Sequence, residues 1–206
     1  MKLLYQFCSF FTKILTNLQK YYNIVIQETL KTIGRIICSR AKGGGQMYNV
    51  LDISRFVINY CNDKDYSLSN LKLQKILYFI QAYFLSQTES KEPCFKERIE
   101  AWDFGPVVPV AYREYKRFGS TNIPKVTTYI QLDEHNFLNS KVVEYNDKVI
   151  KDCDKELICK LVDSFSKFST TRLVQITHNQ SPWINAYRQG ENNTITVEAI
   201  RSYFNG

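Results

Sequence analysis

From Ser69 to Gln87 the chain carries neither Gly nor Pro, and Leu71, Leu73, Ile76, Leu77, Phe79, Ile80 and Tyr83 recur within it at helical spacing. Ser69 is a suitable N-cap, because its hydroxyl can accept a hydrogen bond from an amide that the first helical turn leaves unpaired. A helix lying on a surface needs only one apolar stripe, whereas this one is apolar around much of its circumference, with Gln74 among the few polar positions. It must therefore be enclosed on most sides, which makes it the predicted centre of the domain, with the other elements packed around it.

Those elements read mostly as helices. Asp52 is placed to cap a helix carrying Ile53, Phe56, Val57 and Tyr60 on one face and ending at Cys61-Asn62-Asp63. Residues 94–104 read as a short strand or extended segment leading into Gly105-Pro106. Pro109 suits the first turn of a helix that runs through Tyr112, Tyr115 and Phe118 to Gly119. Two β-favouring patches, 126–132 and 141–149, suggest a hairpin turning at Asn146-Asp147. Leu157, Ile158, Leu161, Val162 and Phe165 draw another helical stripe, and Ser169 caps a helix with Leu173, Val174 and Ile176. Ser181-Pro182 opens a further helix ending near Gly190, and Thr196 caps a last one through Ile200 and Phe204. The predicted fold is mainly α: a single compact helical domain with at most a small β-hairpin or short sheet.

Charge divides the chain at Met47. Of the formal net charge of +7, residues 1–46 hold seven Lys and Arg against one acid, Glu28, or +6, which leaves +1 for residues 47–206. The predicted organisation is an N-terminal extension, 1–46, and one domain, 47–206. The extension falls short of the roughly 20 apolar residues needed to cross a bilayer and has no export-signal cleavage site. Two readings of it stand: an appended amphipathic helix, or translated leader sequence. Lys42-Gly43-Gly44 followed closely by Met47 is what a purine-rich ribosome-binding site and start codon would encode. The nearly neutral body argues against nucleic acid as a partner.

Signals of catalysis are few. Six cysteines form no C-x-x-C pair and only two histidines exist, so no familiar metal spacing occurs, and scattered cysteines fit reduced thiols in a cytoplasmic protein. There is no P-loop, G-x-G-x-x-G, H-E-x-x-H or G-x-S-x-G motif, and Asp103-Phe104-Gly105 lacks the companions of a kinase magnesium site. His178 is the one side chain suited to acid–base chemistry near neutral pH, but no nucleophile or metal partner accompanies it. The blander expectation is a fixed hydrogen bond at a helix junction, with Trp183 packed nearby. In the segment Ala101 to Pro109, two prolines, a glycine and two aromatics impose an irregular, rigid backbone. Such a segment serves equally as a structural corner or as a binding surface.

Three segments together resemble the Panacea domain of SocA-like antitoxins. Asn70-Leu71-Lys72-Leu73-Gln74-Lys75-Ile76-Leu77-Tyr78 resembles the family's N-L-K-L-Q-K-L-L-Y helix. Ile99-Glu100-Ala101-Trp102-Asp103-Phe104-Gly105-Pro106-Val107-Val108-Pro109, with Tyr112 following, is similar to its I-E-A-W…G-P-V-v-P segment. Thr177-His178-Asn179-Gln180-Ser181-Pro182-Trp183 is similar to its T-H-x-E-x-P-W element, with Gln180 where the family carries an acid. The resemblance spans roughly Tyr48 to Phe204, and the family does not need residues 1–46. It implies a non-enzymatic, cytoplasmic antitoxin of a bacterial or prophage system, with no cofactor, that binds a cognate protein toxin encoded by an adjacent gene. Neutralisation by occlusion or by delivery to a protease, and autorepression through DNA, are the alternatives it leaves open. The motif residues it marks for fold or interaction are Leu73, Gln74, Lys75, Tyr78, Trp102, Gly105, Pro106, Val107, Pro109, Tyr112, His178, Pro182 and Trp183.

Overall fold

Asn49, not Asp52, starts the first helix: its side chain accepts from the Leu51 amide at 2.8 Å, and α1 runs Val50–Asp63. Asp52 lies inside the first turn and pairs with Arg55 at 2.9 Å. Because an N-cap must itself be non-helical, the earlier of two good capping residues takes the position and the later one faces solvent. These details come from a computed structural model, which describes residues 47–87, 92–131 and 139–205. The expectations for residues 1–46 lie outside the described residues.

Ser69 begins α2, Asn70–Gln87, with its hydroxyl accepting from the Lys72 amide at 3.3 Å. The enclosure expected of this helix is observed. Leu73, Ile76, Leu77, Phe79, Ile80 and Leu85 have no exposed surface, and each such side chain contributes about 1.5–3 kcal/mol by leaving water. Around α2 pack α1, α3 (Pro109–Tyr115), α4 (Asp152–Ser166), α5 (Thr170–His178) and α7 (Val197–Asn205). Phe79 stacks on Phe165 of α4 at 4.3 Å, and Tyr78 meets Phe204 of α7 edge-on at 6.2 Å. The sixth shell helix, α6 (Ser181–Ala186), packs against α7.

Two small antiparallel sheets complete the molecule. One has the order β2-β1-β5, from β1 (Ile99–Trp102), β2 (Gly105–Val107) and β5 (Thr194–Ile195). The other is a two-stranded ribbon of β3 (Thr128–Gln131) and β4 (Lys141–Glu144), with Thr128 opposite Glu144 and Gln131 opposite Lys141. The expected mainly α fold with small sheets is thus what the chain adopts.

Three further boundaries differ from expectation. The two β patches pair with each other, so no hairpin turns at Asn146-Asp147; instead Asn146 Oδ1 accepts from the Lys148 amide at 3.2 Å, a local turn that leads towards α4. α3 stops at Tyr115 and tightens into a 3₁₀ turn, Lys116–Phe118, before Gly119 at φ +53°. α6 ends at Ala186 rather than near Gly190, because Tyr187 is extended and donates its amide to Trp183 O. Cys61, Cys94, Cys153 and Cys159 are free thiols, as expected.

Candidate functional site

The three segments that carry the motifs meet at one corner. β1 and β2 form a hairpin whose closing pair is Trp102 and Gly105, so Asp103 and Phe104 make its tip. Gly105 sits at φ +95°, where side chains are strained, and a Cβ on it would lie 2.7 Å from Thr177 Oγ1 and 2.9 Å from Lys75 Nζ. Only glycine lets the hairpin seat this closely against both α2 and α5.

The irregular backbone beyond Gly105 exposes polar groups that α2 satisfies. The Ala101 amide donates to Asn193 O on the β5 side, so its partner Pro106 turns its imino nitrogen and carbonyl to the outer edge of the sheet. A missing donor costs nothing there. Lys75 Nζ donates to that Pro106 carbonyl at 2.9 Å. The Val108 amide, next to the start of α3, donates to Gln74 Oε1 at 3.0 Å, Gln74 Nε2 donates to Asn70 Oδ1 at 2.9 Å, and Asn70 Nδ2 donates to Tyr112 O at 3.1 Å. One polar edge of an otherwise apolar helix therefore holds the whole stretch from Pro106 to Tyr112.

Aromatic rings brace the other side. His178 stacks on Trp183 at 4.0 Å, and Trp183 stacks on Tyr187 at 4.5 Å. Trp183 Nε1 donates to Trp102 O at 3.0 Å, and Tyr187 Oη donates to Asp103 Oδ1 at 3.0 Å, so this stack grips the hairpin tip from both ends. Trp102 packs edge-on against Tyr112 at 4.8 Å and donates its indole N–H to Glu100 Oε2 at 2.9 Å; Arg98 holds the other oxygen of that carboxylate at 2.7 Å.

Two titratable groups are displaced from their ordinary ranges. Lys75 has no exposed surface, and burial alone pushes its ammonium down to about 7. His178 is pushed down by burial first and then by the neighbouring Lys75, against a backbone hydrogen bond at Asp103 that favours its charged form. Its Nε2 is buried without a hydrogen-bond partner among the described residues. Trp183 packs against the ring as expected, but the Nε2 end of the imidazole makes no hydrogen bond of the kind expected at the helix junction.

The remaining motif residues hold the corner to the core. Leu73 and Val107 are buried, Pro109 opens α3 and Pro182 opens α6. Tyr78 donates to Gln180 Oε1 at 2.8 Å, and both are buried. The amide that departs from the family pattern thus accepts a neutral hydrogen bond where a carboxylate would bring a charge into the core. The structure adds residues the motif reading did not mark as sites: Asn70, Thr177 and Tyr187, of which Tyr187 was legible as the residue four places beyond Trp183. Phe104, at the hairpin tip, is 66% exposed.

Among the described residues no group of three His, Cys, Asp or Glu is placed to hold a metal, and no helix is long and apolar enough to cross a membrane. The corner is thus a rigid mount for an exposed aromatic tip. Residues 73–184 match the family model described as Antitoxin SocA-like, Panacea domain. The chain is 34% identical over 137 residues to Antitoxin SocA of Caulobacter vibrioides (strain NA1000 / CB15N), an alignment covering 63% of this chain and 68% of that protein. No solved structure matches. Since the matched span runs from the polar edge of α2 through the hairpin to the aromatic stack, the chain belongs to the SocA-like antitoxin family, the Panacea domain.

Proposed function

We propose that this protein neutralises a protein toxin, the product of an adjacent gene, by binding it directly in the cytoplasm, without catalysis or cofactor. The observation that carries this reading is the exposed Phe104 on a corner from which almost all backbone freedom has been removed. A fixed aromatic loses little entropy on binding, which is why such residues dominate protein interfaces. Val110 and Ile184, on the helices that follow β2 and α5, are exposed as well. The membership of the family and the antitoxin name of the relative support a toxin as the partner.

A growth assay tests the proposal. The adjacent gene is induced alone, with residues 47–206, and with the same residues carrying Phe104→Asp. The expected result is arrest, relief by the unaltered domain, and loss of relief with Phe104→Asp at unchanged secondary structure and expression. A harmless neighbour, or arrest that the domain does not relieve, would overturn the antitoxin reading. Full relief by Phe104→Asp would overturn the assignment of the surface alone.

A further inference from the structure

Among the described residues, no strand pairs with either outer edge of the ribbon β3–β4. The Tyr145 amide donates to Thr127 O at 2.8 Å, which makes Thr127 and Tyr145 a hydrogen-bonded pair. Alternation along an antiparallel ladder then fixes the rest: Tyr129 and Gln131 turn their amides to β4, while Thr128 and Ile130 turn theirs to the open edge. Ile130 and Val142 face each other across the ribbon and are 63% and 74% exposed. An open edge bearing an exposed apolar pair is a template for strand addition, and nothing such as an edge proline or lysine blunts β3 itself.

Beside this edge lies a cleft of about 630 Å³ between β3 and the end of α3. Its wall holds three cations, Arg55, Arg117 and Lys125, against the single carboxylate of Glu114. Arg55 is paired with Asp52, covers the Tyr129 ring at 3.6 Å, and Lys125 is paired with Asp63. Arg117 rests 4.8 Å from the Phe118 ring and has no carboxylate partner among the described residues. Tyr115, also in the wall, is buried and its hydroxyl has no hydrogen-bond partner among the described residues. The wall therefore offers positive charge, the complement of an acidic group.

We infer that the open edge of β3 and the adjoining cleft receive an extended segment of the protein toxin, which adds as a strand and places a carboxylate beside Arg117. The inference rests on the toxin-binding reading above and gives it a second contact. α3 links the two: its start adjoins the Gly105 corner and its last residue, Tyr115, lines the cleft, about 10 Å away at the rise of an α-helix. Strand addition supplies affinity through main-chain hydrogen bonds and lets the cleft select the side chain, a recognition mode that suits an exposed sheet edge.

The test measures binding of the purified adjacent-gene product to the full chain by calorimetry, and amide exchange on the complex. Ile130→Pro removes only the outward-facing amide and blocks the edge, and Arg117→Glu reverses the free charge. Each is expected to weaken Kd at least about tenfold. The Thr128 and Ile130 amides are expected to become protected in the complex. Unchanged affinity with no new protection at these two amides, while Phe104→Asp does abolish binding, would overturn this inference and leave the toxin reading standing. No binding by the unaltered chain would remove both. A free chain that light scattering shows to be a dimer, and that Ile130→Pro converts to monomer, would also overturn it, because the occupant of the edge would be a second copy. Should Ile130→Pro fail to fold, Arg117→Glu and the exchange data decide.

Discussion

Lys75 is the residue on which the corner's chemistry turns. Among the described residues its ammonium has one acceptor, the Pro106 carbonyl, and no counter-ion, so burial disfavours the charged form and brings the group to about 7. The sign of the pH effect follows. A lysine in the unfolded chain stays protonated to about 10.4, so above pH 7 the unfolded state binds more protons and stability rises with pH; below pH 7 both states are protonated and the contribution is flat. Between pH 7 and 8.5 the gain should be about 1–2 kcal/mol. Comparing urea denaturation of the natural chain with that of Lys75→Met above pH 7 isolates the effect, since the substitution should abolish that rise, while His178, whose titration Lys75 also depresses, changes charge below this window. At Gly105 the outcome depends on space as well as on φ. Gly105→Ala should cost about 2–4 kcal/mol, from a strained backbone and the collision with Thr177 and Lys75. Gly190→Ala, at φ +79° with no atom within 4 Å, should cost only about 1 kcal/mol. Thermal melts of the two variants check the contrast. The sequence made Lys75, Gly105 and His178 visible through their motif, but not why they belong together. That reason is a close approach between residues distant in the chain, which no local pattern encodes.

Among the elements, those set by burial were legible and those set by side-chain detail were not. The absence of Gly and Pro between Ser69 and Gln87, with apolar residues on most faces, was enough to identify α2 as central, because only enclosure makes such a surface stable. The start of α1 was misplaced by three residues, since Asn49 and Asp52 are chemically equivalent caps and only the chain's path past them decides. Asn49→Ala should therefore lower stability by about 1 kcal/mol, whereas Asp52→Ala should lose only its pairing with Arg55 and cost less. Chemical denaturation of both variants separates them. The ribbon was legible as two β-favouring patches but not as a pair, because Asn146-Asp147 offers a turn signal that the chain spends on the approach to α4 instead. The corner's aromatic stack was half visible: Trp183 belongs to the motif, but Tyr187 follows beyond it on the same helical face and completes the grip on Asp103.

For the molecule as a whole, charge and topology set what it can do. Residues 47–206 carry a net +1, too little for the counterion release that drives duplex binding, so these residues should bind DNA no more tightly than about 10⁻⁴ M at physiological salt. Fluorescence anisotropy with the operator region of its own gene would check this, and a tight, strongly salt-dependent signal would contradict it. Topology has a further effect through α7. This helix covers α2 and brings Phe204 against the ring of Tyr78, so the centre of the domain is closed by residues made more than a hundred positions later. While the ribosome is still adding residues 179–205, α2 has emerged with one flank uncovered, and its apolar surface is available to chaperones, proteases or a newly made partner. The domain cannot seal its core until α7 appears, so the timing of that helix sets when this flank of α2 stops being open to quality control.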